Sequence, residues 1–243
     1  CAGGVAGTER GTLAEWVLVD ADLVAPMPRT LDFRAAAALP LVALTAWEGW
    51  LRAGVAAGQS VLVLGGTGGV GHFAVQIARA LGATVTATAS SAAKAALARD
   101  LGAKTVVLHG ASAAMAPDLT AAAGPGGFDA VFDASGQGDL AAALAALRPG
   151  GQVVLIAGRQ APALVDAFGK GASVHFVFIV IPLHLSVHRA QHGTMLREIS
   201  ALVDGGKLSP LVDPRRFTLA DVEAAYSAVE LGQATGKVVI DIG

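Results

Sequence analysis

Glycine recurs at positions 66, 68 and 71 within the segment Gly65 to Gly71, a G-x-G-x-x-G spacing with further glycines at 65 and 69. A backbone without Cβ atoms can turn tightly and bring its N–H groups close to a polyanion. In this pattern Gly66 would permit the turn and Gly68 would let the chain approach a pyrophosphate. Gly71 would let a helix pack against the preceding strand. Alone the pattern is weak, because an ordinary strand-to-helix turn can carry it. Its context strengthens it: the continuous apolar run Val61 to Leu64 precedes it and an apolar helix follows. The helix N-terminus then offers unbonded N–H groups and the positive end of its dipole to phosphates. No Gly-Lys-Ser/Thr follows, which excludes a P-loop.

The next strand end bears on which dinucleotide would fit. An Asp or Glu about 20 residues beyond the glycines accepts hydrogen bonds from the ribose hydroxyls of NAD. Here the strand ends at Thr88-Ala89-Ser90-Ser91, and residues 84–94 contain no acid. Hydroxyls and the Lys94 ammonium favour a 2′-phosphate, and so NADPH. Ser90 and Ser91 also suit a helix N-cap, a role compatible with either cofactor.

Other residues invite chemistry less strongly. His184, His188 and His192 are spaced by four, which on one helix would align three imidazoles as a metal site. Pro182 and Ser186 place the helix start inside the run and no carboxylate completes the set, so these read as solvent-facing or loop histidines. His72 reads as a packing residue rather than an acid. Tyr226 reads as core packing with a satisfied hydroxyl. Asp129 and Asp133 bracket a strand and read as its polar start and turn-forming end. Glu15 and Trp16 have no assignable role, and no Ser-His-Asp arrangement is supported. The single cysteine, Cys1, permits no disulfide framework and no cysteine-built zinc site. As a first residue it could be acylated, but Ala2-Gly3-Gly4 runs into folded-looking sequence without a tether.

The elements that position these residues alternate. Strands are read at Leu13 to Val24, Val61 to Leu64, Thr84 to Ala89, Thr105 to Leu108, Asp129 to Asp133, Gln152 to Ala157, Val174 to Val180 and Lys237 to Ile242. Helices are read within Asp32 to Gly54, at Gly69 to Leu81, Ala92 to Leu101, Ala113 to Ala123 and Leu140 to Leu147, the last stopped by Pro149-Gly150. Two more are read near Gln191 to Val203 and Leu219 to Leu231. This order gives the α/β class: a doubly wound parallel sheet of Rossmann type with right-handed crossovers. With 53% apolar residues a large core is possible, and a net charge of −2 gives no reason to expect nucleic acid or anionic membrane as a partner. The longest apolar run, Phe176 to Leu183, is too short to span a bilayer and contains Pro182. A cytoplasmic location is the expectation. The chain lacks an initiating methionine and is expected to start inside a larger protein.

From these residues outward, the sequence resembles the medium-chain dehydrogenase/reductase superfamily, and within it the zinc-free quinone oxidoreductase branch. Four segments carry the resemblance: Gly11 to Val17, Ala36 to Trp47, the glycine loop with Ala74 to Ala78, and Gly236 to Val239. It implies residues 1–30 as the remnant of a GroES-like catalytic domain and 31–205 as an NADP-binding Rossmann domain. Residues 206–243 would return to the catalytic domain. Relatives with catalytic zinc carry cysteine four residues before the threonine matching Thr45. Leu41 stands there, so no zinc is expected. By resemblance, Thr45 would lie near the nicotinamide, and Gly66, Gly68, Gly69, Val70 and Gly71 would take the pyrophosphate. Ser90, Ser91 and Lys94 would take the 2′-phosphate, with His109 where many relatives have a tyrosine near it. Ser135, Gly136, Ala157, Gly158, Phe178, Ile179 and Val180 would line the ribose and nicotinamide groove, and Lys237 would close over the cofactor. The implied activity is NADPH-dependent hydride transfer to a quinone or conjugated carbonyl, with no catalytic acid assigned. An alcohol dehydrogenase-like or enoyl reductase activity is the alternative, and a non-catalytic cofactor-binding regulatory or structural protein the alternative of another class. Pairing of the edge strand Val174 to Val180 between subunits would give a homodimer.

Overall fold

Continuous apolar or β-branched runs bounded by glycine become buried parallel strands here, because helices cover both faces of the sheet they form. The computed structural model describes residues 11–109, 116–136, 139–157 and 164–242. It divides into two compact units, one of Cys1–Leu44 with Ile179–Gly243 and one of Thr45–Phe178. Two helices, α1 (Phe33–Ala37) and α2 (Pro40–Arg52), come first in the chain.

The Thr45–Phe178 unit alternates as expected. Its elements are β1 (Ser60–Leu64), α3 (Gly71–Ala80), β2 (Thr84–Ala89), α4 (Ala92–Asp100), β3 (Thr105–Leu108) and α5 (Ala116–Ala123), then β4 (Phe128–Asp133), α6 (Leu140–Ala145), β5 (Leu147–Leu155), α7 (Leu164–Gly169) and β6 (Ser173–Phe176). The strands form one parallel sheet in the order β3-β2-β1-β4-β5-β6, with the order reversing between β1 and β4. This is the doubly wound dinucleotide-binding arrangement, in which ligands sit at the carboxyl ends of the strands beside that reversal.

Alternate residues of β4 and β5 serve opposite layers. Val131, Val153 and Leu155 pack with Leu140 and Leu144 of α6 in one core cluster. Phe132 and Val154 face α2, where a Cβ on Gly49 would come within 2.4 Å of the Phe132 ring. That close approach brings Trp50 to 4.9 Å from the same ring, centroid to centroid. The buried Trp50 indole N–H donates to the Ala74 carbonyl at 2.8 Å. Each large apolar side chain buried this way contributes about 2 kcal/mol.

Two strands differ from expectation in this unit. β5 starts at Leu147, not Gln152, and takes Pro149-Gly150 inside it as a bulge, the register shifting between Phe128 and Ala130. Gly150 at φ +70° accommodates the bend, so these residues do not simply stop a helix. The last strand stops at Phe176, although the Val177 N–H still donates to Leu155. Val180 then caps a new helix whose early proline, Pro182, suits the first turn.

The other unit holds a 3₁₀ turn at Ala21–Leu23, α8 (Ile181–Leu185), α9 (Arg189–Asp204), the short strand β7 (Phe217–Thr218), α10 (Val222–Glu230) and β8 (Ile240–Asp241). The strand expected over Leu13 to Val24 does not form: no strand pairs with it among the described residues, and Trp16 and Leu18 are exposed. The final strand is shorter than expected, pairing in parallel only as β7 with β8, plus an isolated bridge between Val212 and Lys237. Polar contacts hold this segment instead. Arg34 donates to both Asp241 carboxylate oxygens at 2.9 Å and to the Arg215 carbonyl at 2.7 Å. Asp213, buried, accepts from the Arg215 side chain and the Thr235 N–H, and the Arg215 guanidinium holds its carboxyl far below the usual range. Tyr226 corrects the sequence reading: it is 59% exposed, and α10 buries Ala225 and Ala228 instead.

The three spaced histidines do not share a helix face. Ser186 and His188 take positive φ and break the chain between α8 and α9. His184 and His188 are exposed, but His192 is buried, contrary to the solvent-facing reading. Neither His192 ring nitrogen has a hydrogen-bond partner among the described residues. Burial therefore pushes its pKa below 6.5. The unfolded chain binds the proton more readily, so the stabilisation is complete above about pH 6.5 and is lost as pH falls toward the folded pKa. In urea titrations, unfolding free energy should decline between about pH 7 and pH 5. His192→Leu should flatten that slope, leaving the part due to His175, whose pKa burial also lowers; an unchanged slope would refute the assignment.

Candidate functional site

The glycine loop joins the end of β1 to α3, and each glycine has its own reason. Gly65, not Gly66, makes the turn, with φ +75°. Gly66 is needed for closeness: a Cβ there would lie 2.7 Å from the Ala87 Cβ on β2. A Cβ on Gly71 would fall 2.0 Å from the Gly65 carbonyl oxygen, so only glycine lets the first turn of α3 rest on the strand end. The Gly68 N–H donates back to Gly65 at 3.0 Å, closing the turn. His72, buried, donates from Nδ1 to the Gly68 carbonyl at 3.0 Å, consistent with a packing residue.

What the loop offers is donors. Val70 caps α3 with no side-chain hydrogen bond. The N–H groups of Gly69 and Val70 find no acceptor among the described residues, and both residues are only half-buried while Gly68 is exposed. Unbonded amides at the positive end of a helix fit a pyrophosphate.

The neighbouring strand ends line up with the loop along the same sheet edge. Past β2, Ser90 is exposed, and Ser91 caps α4 by accepting the Lys94 N–H at 3.2 Å. Lys94 itself is half-buried, and no acid lies on this strand end. Past β3, the His109 N–H donates to Ala89 at 3.0 Å. Past β4, Asp133 is buried and its Oδ1 accepts from the Ser135 N–H, the Ser135 hydroxyl at 2.7 Å and the Gly136 N–H at 3.1 Å. Asp133 is thus a turn former, as its place at a strand end implied. Asp129 is structural too, accepting the Ser60 N–H and the Arg148 side chain.

The turn that Asp133 builds touches both of its neighbours. A Cβ on Gly65 would meet the Ser135 Cβ at 3.2 Å, and one on Gly136 would meet the Ala157 Cβ at 2.7 Å. The structure therefore brings Gly66 to Gly71, Ser90, Ser91, Lys94, His109, Ser135, Gly136 and Ala157 to one edge. Phe178, exposed, follows β6. Gly158 lies outside the described residues. Thr45 is buried in α2. Ile179, Val180 and Lys237 belong to the other unit; Ile179 and Val180 are buried, and burial lowers the Lys237 pKa. Among the described residues, no three His, Cys, Asp or Glu side chains gather as a metal site, and no helix is long and apolar enough to cross a membrane.

Sequence reasoning missed Thr88. A threonine inside a strand reads as β-propensity, yet here its hydroxyl accepts the Gly65 N–H at 3.0 Å and its carbonyl the Gly66 N–H at 3.2 Å. The available signal was a polar side chain on a strand buried at five of six positions.

The chain matches the family model described as zinc-binding dehydrogenase over residues 69–179. It is 38% identical to the 2-methylene-furan-3-one reductase of Solanum lycopersicum over 232 residues, covering 95% of this chain and 52% of that protein. It is 35% identical to the chloroplastic NADPH-dependent alkenal/one oxidoreductase of Arabidopsis thaliana, covering 95% and 53%. The chain thus spans about half the length of these curated relatives. The crystal structure of an alcohol dehydrogenase superfamily protein from Novosphingobium aromaticivorans superposes with a TM-score of 0.86 at 40% identity, covering 96% of this chain and 71% of that one.

Gly71→Ala should lift α3 off Gly65 and weaken binding of ADP-ribose, which carries the pyrophosphate, by at least about tenfold, since loss of well-placed amide donors costs on the order of 1.5 kcal/mol or more. Isothermal titration checks this; wild-type affinity in the variant would remove the loop from the site.

Proposed function

Because the chain belongs to the medium-chain dehydrogenase/reductase family within the alcohol dehydrogenase superfamily, we propose that it forms the greater part of an NADPH-dependent reductase of conjugated carbonyls. The observation that carries this is the row of strand ends: an amide-rich, uncapped helix start beside a strand end with hydroxyls and a lysine but no acid. Both curated relatives described above are named for substrates in which an alkene is conjugated to a carbonyl. Quinones share that electron-poor alkene and remain within the proposed class. The smaller unit is read as part of a GroES-like catalytic domain, and the larger as the NADP-binding domain.

Bound NADPH supplies a hydride. In this reading the chain's residues bind and align it. The Gly69 and Val70 amides hold the pyrophosphate. The Ser90 and Ser91 hydroxyls and the Lys94 ammonium take the 2′-phosphate, with His109 beside them. The Ser135–Gly136 turn, Ala157 and Phe178 line the path toward the nicotinamide. Held there, the cofactor would supply hydride to the alkene carbon β to the carbonyl, with the balancing proton coming from solvent. No side chain is assigned as the acid. Leu41 offers no ligating atom at the place where zinc-dependent relatives carry a cysteine, so the reaction is read without zinc.

The protein should oxidise NADPH when given an enone. Lys94→Ala should raise KM for NADPH about tenfold and leave NADH unchanged, as loss of a charge-assisted contact to phosphate would. Cofactor binding without turnover across enones and quinones would favour a non-catalytic, regulatory role. An equal effect of Lys94→Ala on both cofactors would sink the 2′-phosphate assignment.

β6 ends the sheet with its outer edge unpaired among the described residues and with Phe176 exposed. Such an edge favours pairing with a second copy, and we read the protein as a homodimer through this strand. Light scattering coupled to gel filtration should give twice the chain mass; Val174→Pro, which removes a strand N–H, should shift it toward monomer.

A further inference from the structure

The glycine loop is held from outside as well as by its own turn. β1 and β2 pair in parallel up to Val63 with Ala87. Beyond that last pair, Thr88 continues the contact: its carbonyl accepts the Gly66 N–H, and its hydroxyl accepts the Gly65 N–H at 3.0 Å. Thr88 is 2% exposed, so neither bond is readily replaced by water. The Gly65 N–H has no other acceptor among the described residues.

Gly65 is also the residue on whose carbonyl Gly68 and the start of α3 rest. Its height above the sheet therefore sets the height of the Gly69 and Val70 amides. We propose that Thr88 is a positioning residue for the dinucleotide, its hydroxyl latching Gly65 so that the free amides of the loop stand where the pyrophosphate lies. This rests on the reading of the loop as a pyrophosphate site. It differs from the assignment of Ser90, Ser91 and Lys94, because the latch acts on a part common to both nicotinamide cofactors. Its loss should leave the preference between them untouched.

Thr88→Val keeps the shape and removes the acceptor; Thr88→Ser keeps the acceptor. In titrations monitored by nicotinamide fluorescence, Thr88→Val should weaken NADPH and NADH alike by about tenfold, as loss of one buried hydrogen bond would. Thr88→Ser should restore both affinities. A purely structural role would lower the unfolding temperature without this common factor and without rescue by serine. Should Thr88→Val fail to fold, amide exchange on the wild type decides the point. Gly65 should exchange far more slowly than Gly69, and equal rates overturn the latch. A wild type that binds both cofactors beside a Thr88→Val protein of equal affinity overturns the latch alone. A wild type that binds neither overturns the pyrophosphate reading, and the latch with it.

Discussion

The contact between the Gly65 carbonyl and the first turn of α3 is the constraint from which the rest of the larger unit can be built. With a Cβ at Gly71 that oxygen would be 2.0 Å away, so a helix starting from any other residue would have to move outward. Moved outward, α3 could not bury all of Gly71 to Ala78 against β1 and β2. Nor could Ala74 present its carbonyl to the Trp50 indole. A single missing methyl group thereby couples the packing of the central helix to the exposure of amide donors at its start. Helix packing and the exposure of those donors are two consequences of the same close approach.

How much of this could be read from the sequence depended on whether a residue's surroundings were local. β2 and β3 form over the residues expected, because short β-branched runs bounded by glycine, serine or lysine leave few alternatives once helices cover both faces. The donor loop was legible for the same reason. What failed was decided by distant partners. Leu13 to Val24 has the composition of a strand but no ladder to join among the described residues. Pro149-Gly150 looks like a stop, yet the pairing of Leu147 with Phe128 draws it into β5. Tyr226 lies on a helix whose buried stripe is made of alanines, so its ring points away from that stripe. The turn role assigned to Gly66 belongs to Gly65, since spacing counts glycines without revealing which one takes positive φ.

The two units are held by different forces. In the larger one, the sheet is sandwiched between apolar layers, and its buried polar groups serve turns and loop contacts. In the smaller one, strands are two residues long, and a guanidinium–carboxylate web does much of the joining. Arg34 is its centre, reaching two carbonyls and Asp241, while Asp213 gathers Arg215 and Thr235. Bidentate pairs of this kind fix orientation as well as distance. They supplement the small apolar cluster of Phe217, Ala225 and Ala228.

The row of strand ends raises a question of charge that its geometry answers. A carboxylate beside an anion site repels the ligand, and the β2 end avoids this by having no acid. The β4 end does carry one, Asp133, whose turn lies directly against Gly65. There the lone pairs of Oδ1 are taken up by three donors from Ser135 and Gly136, at 3.1 Å or less. All three donors belong to the turn that Asp133 itself builds. A carboxylate is therefore compatible with this edge when its own turn consumes it. At the β2 end Ser91 spends its acceptor on the α4 cap, and the chain supplies hydroxyls and a lysine with nothing acidic to offset them. The asymmetry between those two strand ends is the physical basis of the proposal that a phosphate sits at the β2 end.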